Sequence, residues 1–438
     1  MFSLIAAAYN VAPYLDDFFA SVIAQTYGLA GVELIVVNDG STDETGQIID
    51  RWAARYPKLI RVIHQKNGGV AAARNAGMAQ AKGVWIGFPD PDDILHPAYL
   101  TTLAQAVDPE ATQVAIVANL VRYIEETDSY ADTHPMRYRF TKGLVSRPVH
   151  KTRDMILQSV SHAVFRRAAL VAHGLRFDPA IKPTFEDGHF ANSLLILEAD
   201  KMISFVPEAV YYYRKRAALG SAVDGSRDDP RWYTTQIETG YLSLIKLAQD
   251  RLGHVPPFIQ INCLYSMMWR FRYLVDQPDR AALLDRATQA TLRDNLARVF
   301  ASIDKDVIMR FHRAGCSEMH KVALLARYGK GLRDPQRIQP VKIGENLFEF
   351  QWYEDPALPV VLHPFVNDAP AKILAKAQEQ SLFLGDPYVC QSRVQIRVAD
   401  GDSVHFAAAD GRKTCFRDRG LDLGAQIDGA QLDHLRPV

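Results

Sequence analysis

Asp90-Pro91-Asp92-Asp93 puts three carboxylates into four consecutive residues, directly after the apolar run Val84 to Phe88. Carboxylates one residue apart in a turn can face the same divalent cation. A hard ion such as Mg2+ or Mn2+ is ordinarily held by one or two protein carboxylates together with substrate phosphates. The same acids could instead cap a helix beginning near Pro97. An EF-hand loop opened at Asp90 would need Gly and Glu where Leu95 and Thr101 stand. A phosphatase-type aspartate motif would need Gly and Thr where Asp93-Ile94 stand.

Two further clusters have the same character. Asn38-Asp39-Gly40-Ser41-Thr42-Asp43 follows the β-branched run Val32 to Val37. A carboxylate at such a strand end can accept the imide N–H of a uracil ring. Asn67-Gly68-Gly69 leads into Arg74-Asn75-Ala76-Gly77. Paired glycines let backbone approach a ligand closely, and Arg74 offers charge for a diphosphate or ribose. Each cluster alone is also a turn followed by a capped helix. His162, His189 and His312 are weaker candidates for a further metal ligand, since a lone histidine is more often structural.

These turns need a scaffold that brings them together. Apolar runs at Phe2–Ala8, Val32–Val37, Arg61–His64 and Val84–Phe88 predict four strands. Between them lie helices starting near Pro13, at a Ser41/Glu44 capping box, and at Val70. Strand and helix in alternation imply a mostly parallel α/β sheet, whose ligands bind beyond the carboxyl ends of the strands. Further strands are predicted at Val114–Arg122 and Val206–Arg214, with a helix after Glu186-Asp187. Residues from about 230 to 328 read as helices, and the proline-punctuated remainder as a small β domain. The expected division is 1–225, 226–332 and 333–438.

Composition narrows the class. Lys plus Arg and Asp plus Glu each number 50, so the formal net charge is +0 and no nucleic-acid partner is expected. Cys263, Cys316, Cys390 and Cys415 form no paired motif, which suits a reducing cytoplasm. No signal peptide or spanning helix is expected, and a peripheral contact at the inner face of the plasma membrane stays open.

Ala7-Ala8-Tyr9-Asn10, NDGSTD, NGGVAAARNAG and DPDD, in this order and spacing, resemble the inverting GT-A glycosyltransferases of family two over about residues 1–220. The resemblance implies a Rossmann-like nucleotide-diphospho-sugar transferase domain. It implies a UDP-sugar donor bound by Ala8, Tyr9, Asn10, Asp39, Asn67, Gly69, Arg74, Asp90 and Pro91. In that reading Asp39 meets the base, Asp90 the ribose, and Asp92 a Mn2+ or Mg2+ ion. The family also places a Glu-Asp pair at a helix start near the acceptor, which carries over to Glu186 and Asp187, with Asp187 as general base. Tyr211-Tyr212-Tyr213-Arg214 resembles the family's closing strand, while Arg216 to Ser221 matches its basic loop only loosely.

Processive membrane synthases of the family carry QxxRW; here Arg231-Trp232 follows Asp228 instead of Gln. The expected acceptor is a saccharide or lipid-linked cell-surface glycan. The β-rich tail resembles accessory modules of teichoic acid or capsule transferases, so oligomerisation through it is open. A sugar-nucleotide nucleotidyltransferase is the first alternative, although Tyr9-Asn10-Val11-Ala12-Pro13 replaces its Gly- and Arg-rich loop. A non-catalytic glycan-binding module on the same fold is the second.

Overall fold

The computed structural model describes residues 1–110, 112–216, 225–331, 335–418, 421–428 and 431–432. Ser221 and the expected boundary at 332 lie outside them. The chain divides into two compact units, Met1–Cys263 and Leu264–Val438.

The first unit is built on a ten-stranded mixed sheet. Its strands are β1 (Phe2–Ala8), β2 (Val32–Asp39), β3 (Ile60–Gln65), β4 (Trp85–Gly87), β5 (Ile94–Leu95), β6 (Gln113–Ile124), β7 (Ser129–Ala131), β8 (Val145–Pro148), β9 (Ala163–Arg166) and β10 (Met202–Lys215). The order is β3-β2-β1-β4-β9-β6-β10-β5, with β7 on β6 and β8 on β10. β3, β2, β1 and β4 run parallel, and Phe2 to Ala8 pair in register with Val32 to Asn38. Both faces of β1 are covered, which is why FSLIAAA reads as an unbroken apolar run rather than an alternating one. The central strand β9 is antiparallel to both β4 and β6, so the sheet is less uniformly parallel than the strand–helix alternation suggests.

Helices α1 (Ala12–Ile23), α2 (Thr45–Arg55) and α3 (Val70–Gln80) link the parallel strands. α3 lies so close to the sheet that a Cβ on Gly77 would sit 2.4 Å from Cγ2 of Ile5. The expected capping box at Ser41 and Glu44 does not form. α2 starts at Thr45, whose N–H bonds to Asp43 at 3.0 Å, while the Ser41 hydroxyl accepts the Asn10 N–H at 3.1 Å. The polar side chains of this turn therefore tie two loops together instead of capping one helix.

α4 (Tyr99–Gln105) lies between β5 and β6, and past β9 come α5 (Arg167–Ala172) and α6 (Glu186–Leu197). Four buried phenylalanines fix α6 against the end of β4. Phe190 stacks on Phe177 with ring centroids 4.0 Å apart, and Phe88 and Phe165 meet Phe190 edge-on at 5.5 and 5.9 Å. A π-helix at Gln236–Leu242 and α7 (Ser243–Leu252) then pack beside α6.

The unit boundary falls inside α8 (Pro257–Leu274). The second unit joins helices and strands that the sequence reading separates. Its two sheets contain six and four strands. The alternating LFEFQWYE strand, Leu347–Glu354, turns Phe348, Phe350 and Trp352 into their common core. Phe271 of α8 stacks on Tyr388 at 5.6 Å, and Arg293 pairs with Asp386 at 3.0 Å. Phe271 is thus a packing residue. All four cysteines are free and buried. Among the described residues, no helix is long and apolar enough to cross a membrane.

The aromatic cluster sets the position of α6, so its loss should be felt as stability. Phe190→Ala is expected to cost about 3–5 kcal/mol, the usual range for deleting a fully buried ring. Urea unfolding of the full chain followed by tryptophan fluorescence measures it, and an unmoved midpoint would show that the cluster carries no packing energy.

Candidate functional site

Four loops meet at the carboxyl ends of the parallel strands. After β1, Tyr9 is 48% exposed and Asn10 takes a left-handed backbone with φ 50°. The Asn10 side-chain carbonyl accepts the Thr42 N–H at 2.8 Å, which joins this loop to the one after β2. That second loop is joined in turn to the third. Asp39 is 3% exposed; its carboxylate accepts from Gly68 N at 2.9 Å, Gly69 N at 2.8 Å and Gln65 Nε2 at 2.7 Å. Gly40, with φ 72°, passes so near that a Cβ there would lie 2.7 Å from Asn67 N. Asp39 therefore shapes the Asn67-Gly68-Gly69 turn, a task its sequence context alone does not reveal, and three hydrogen bonds leave it spare acceptor capacity. Ala8 is buried at the end of β1, while Asn67 is exposed and Gly69, with φ 87°, opens α3.

The fourth loop carries the acids. Asp93 is 1% exposed and locked to β10: Oδ1 accepts the Arg214 N–H at 2.8 Å, and Oδ2 accepts the Tyr211 hydroxyl proton at 2.7 Å. The same hydroxyl accepts the Asp90 N–H at 3.0 Å. Asp93 thus fastens the turn to the sheet and caps no helix. A bulge brings β10 to it, since Val206 pairs with Ala118 and Val210 with Asn119 while Pro207, Glu208 and Ala209 are passed over. Asp92 points elsewhere, to Arg216, whose Nε lies 3.1 Å from Oδ2. Pro91 is buried between them.

Arg74 gathers the remaining acids. Only 4% exposed, it reaches Asp90 at 2.9 Å through Nη2 and both Glu186 (3.4 Å) and Asp187 through Nη1. Its guanidinium also lies 5.4 Å from the centre of the Phe177 ring. Glu186 and Asp187 open α6 behind Phe185, which holds φ 90°. That strained residue is kept by its neighbours: its ring stacks on Tyr241 at 3.9 Å, and Gln236 bonds the Thr184 carbonyl at 2.7 Å. The π-helix is accordingly the support of the Glu-Asp pair.

Electrostatics follow from this crowding. Burial pushes Asp90 up to about 7; Arg74 opposes the shift, and Asp92 and Asp187 reinforce it. Burial likewise pushes Asp187 up to about 7 against Arg74, with Glu186 adding to the rise. Asp93 is raised well above the ordinary range by burial and then by Asp92 and Asp90. Burial works against the charge on Arg74, yet Asp187, Asp90 and Glu186 hold its guanidinium above its ordinary value. Mutually repelling hard oxygen donors of this kind suit a divalent cation. Among the described residues, however, no group of three or more His, Cys, Asp and Glu side chains is arranged to hold a metal by itself. The histidines are engaged elsewhere. His162 lies 3.1 Å from Arg139, His189 lies 3.0 Å from Ser243, and His312 lies 3.0 Å from the Arg310 carbonyl.

Comparison with known proteins bears on the family and the fold. The pattern of Glycosyl transferase family 2 matches residues 3–173. GgaA of Bacillus subtilis (strain 168), a minor teichoic acid biosynthesis protein, is 30% identical over 312 residues, 70% of this chain and 68% of GgaA. The chain belongs to glycosyl transferase family 2. A second relative, the minor teichoic acid biosynthesis protein GgaB of the same strain, is 29% identical over 426 residues, 97% of this chain. The chain spans only 42% of GgaB's length. The crystal structure of S. aureus TarS 1-349 in complex with UDP-GlcNAc shares the fold with a TM-score of 0.57 at 20% identity, over 75% of this chain and 87% of TarS 1-349. The first unit is thus the GT-A-like α/β domain of family 2, and strands and helices follow it as in full-length TarS, which aligns over 95% of this chain.

The raised acids tie stability to pH. An unfolded Asp ionises near 3.9, whereas Asp90 and Asp187 are held near 7. Between those values the folded chain binds more protons than the unfolded one, so these two groups stabilise the fold at low pH and lose that contribution as pH rises towards 7. Asp90 keeps 34% of its side chain open to solvent and Asp187 only 15%, so Asp187 should dominate. Urea midpoints of the ligand-free protein should show a decline across this window that Asp187→Asn flattens; parallel curves would refute the assignment.

Proposed function

We propose that the chain transfers a sugar, with inversion, from a UDP-sugar to a cell-surface polymer of the teichoic acid kind. The observation that carries this reading is the Arg74 guanidinium. It joins Asp90 of the loop after β4 to Asp187 at the start of α6, bringing donor-side and acceptor-side carboxylates within reach of one side chain. The donor class rests on the fold shared with TarS, a protein crystallised with UDP and with UDP-GlcNAc. The acceptor class rests on GgaA and GgaB, both described as minor teichoic acid biosynthesis proteins.

In this reading the uracil ring packs near exposed Tyr9 and is met by Asp39, and Asn10, Asn67 and Gly69 line the same loops. Asp90 takes the ribose. Asp92, with its carboxylate partly open and Arg216 as its present partner, would hold Mn2+ or Mg2+ together with the donor phosphates. When bound, such an ion neutralises charge that builds on the departing diphosphate. Asp187 takes the proton from the acceptor hydroxyl as its oxygen bonds to the anomeric carbon and the bond to the diphosphate breaks, so UDP leaves with the electron pair. A carboxylate held near 7 is well matched to that task at neutral pH. Glu186 and Arg74 orient it.

Asp187→Asn should leave UDP-sugar binding intact and reduce transfer by about 10²–10⁴-fold, the usual share of a general base. Radiolabelled sugar transfer alongside calorimetry separates the two, and full turnover by the variant would remove Asp187 from the role. Asp92→Ala should abolish the Mn2+-dependent part of UDP binding in the same calorimeter; unchanged affinity with Mn2+ would count against Asp92 as the metal ligand.

A further inference from the structure

The charge balance of the chain conceals a local excess. Residues 134–153 hold Arg137, Arg139, Lys142, Arg147, Lys151 and Arg153, with His134 and His150 and no acid, although cations and anions number 50 each overall. Such a run is ordinarily a solvated face. Here the fold gathers part of it around a cavity of about 70 Å3, room for a small anion and bound water, lined by Tyr138, Arg139, Lys142, Arg147 and Thr152. Asp154 is the one acid on that lining, 4.0 Å from Arg147 and largely in solvent.

Arg139 is the inner wall. It is 9% exposed, and its plane is fixed by neutral acceptors: the Met136 carbonyl at 3.2 Å, the Ile156 carbonyl at 2.7 Å and His162 Nε2 at 3.1 Å. His134 nearby is pushed down to about 4, by burial first and then by Arg139, Arg122 and Lys215. Arg122 stands in register with Tyr213 at the end of β6, and Lys215 precedes Arg216, the partner of Asp92. Among the described residues, two buried donors nearby have no hydrogen-bond partner. They are Nε of Arg122 and Nδ1 of His162, the latter carrying the ring proton because Nε2 accepts from Arg139. Asp187 accepts the Val160 backbone N–H, beyond the C-terminal end of the basic run.

We propose that the cavity at Arg139, Lys142 and Arg147 binds a phosphate of a phosphodiester-linked acceptor chain whose hydroxyl is used at Asp187. As an acceptor site it rests on the transferase reading above; its affinity for phosphate does not. A neutral glycan adds no counter-charge to that of Asp154, whereas phosphate oxygens accept charge-assisted bonds from Lys142 and Arg147. A concave site with a buried, pre-oriented arginine fits a discrete phosphate better than the plane of a membrane.

Calorimetry with a short synthetic glycerol phosphate oligomer tests it, with neutral maltooligosaccharide, phosphatidylglycerol vesicles and UDP plus Mn2+ as parallel titrants. The wild type should bind the oligomer, more weakly as salt rises. Lys142→Glu with Arg147→Glu should weaken that binding at least about tenfold, as loss of two charge-assisted contacts requires, with melting temperature and UDP affinity unchanged. Absent oligomer binding, equal binding by the variant, or binding to vesicles alone would overturn the proposal. Oligomer binding without UDP binding would instead sink the transferase reading, and with it the acceptor role, and leave only the phosphate affinity of the cavity standing.

Discussion

One buried guanidinium faces three carboxylates, and the rest of the site follows from that imbalance. With Asp90, Glu186 and Asp187 all ionised, Arg74 would leave the group two negative charges in excess, inside a region where charge is costly to bury. The protein meets the difference by holding protons on Asp90 and Asp187. A site poised in this way gains from any positive charge arriving beside Asp92, and can give up or accept a proton near neutrality at little cost. Binding chemistry and acid–base chemistry are thus two responses to the same shortage of cations.

The scaffold serves that arrangement through contacts between loops. Asn10 to Thr42, Asp39 to Gly68 and Gly69, and Asp93 to Tyr211 and Arg214 each join segments distant in the chain. Most donors in these joins are backbone N–H groups, and the acceptors are the side chains of Asn10, Asp39 and Asp93. The phenylalanine cluster does the equivalent work from below, setting α6 against β4 so that Asp187 meets Arg74.

Much of this was readable in the residues because it is local. The runs Phe2–Ala8 and Val32–Val37 and the glycine turn before Val70 announce their own geometry, and β1, β2 and α3 form where the pattern places them. What stayed hidden depends on partners far away. Asp93 looks like its neighbours until β10 arrives from Tyr211 and Arg214, and Ser41 looks like a helix cap until Asn10 claims it. The short strand β9 carries no signal of its reversed direction, which its neighbours on both sides impose. The division of the chain is illegible for a related reason: helices after Leu264 resemble those before it, and only packing assigns them to the strands that follow.

The π-helix at Gln236–Leu242 has an evolutionary corollary. Its wide turn sets Gln236, Gly240 and Tyr241 at the spacing that cradles Phe185, and a Cβ on Gly240 would already strike that ring at 2.8 Å. Deleting one residue would restore ordinary helical winding and swing the downstream positions by about 100°. The fit around Phe185 therefore constrains both the residue count of this stretch and the glycine at 240. Lineages that vary their acceptors should diversify around it by substitution and leave its residue count alone.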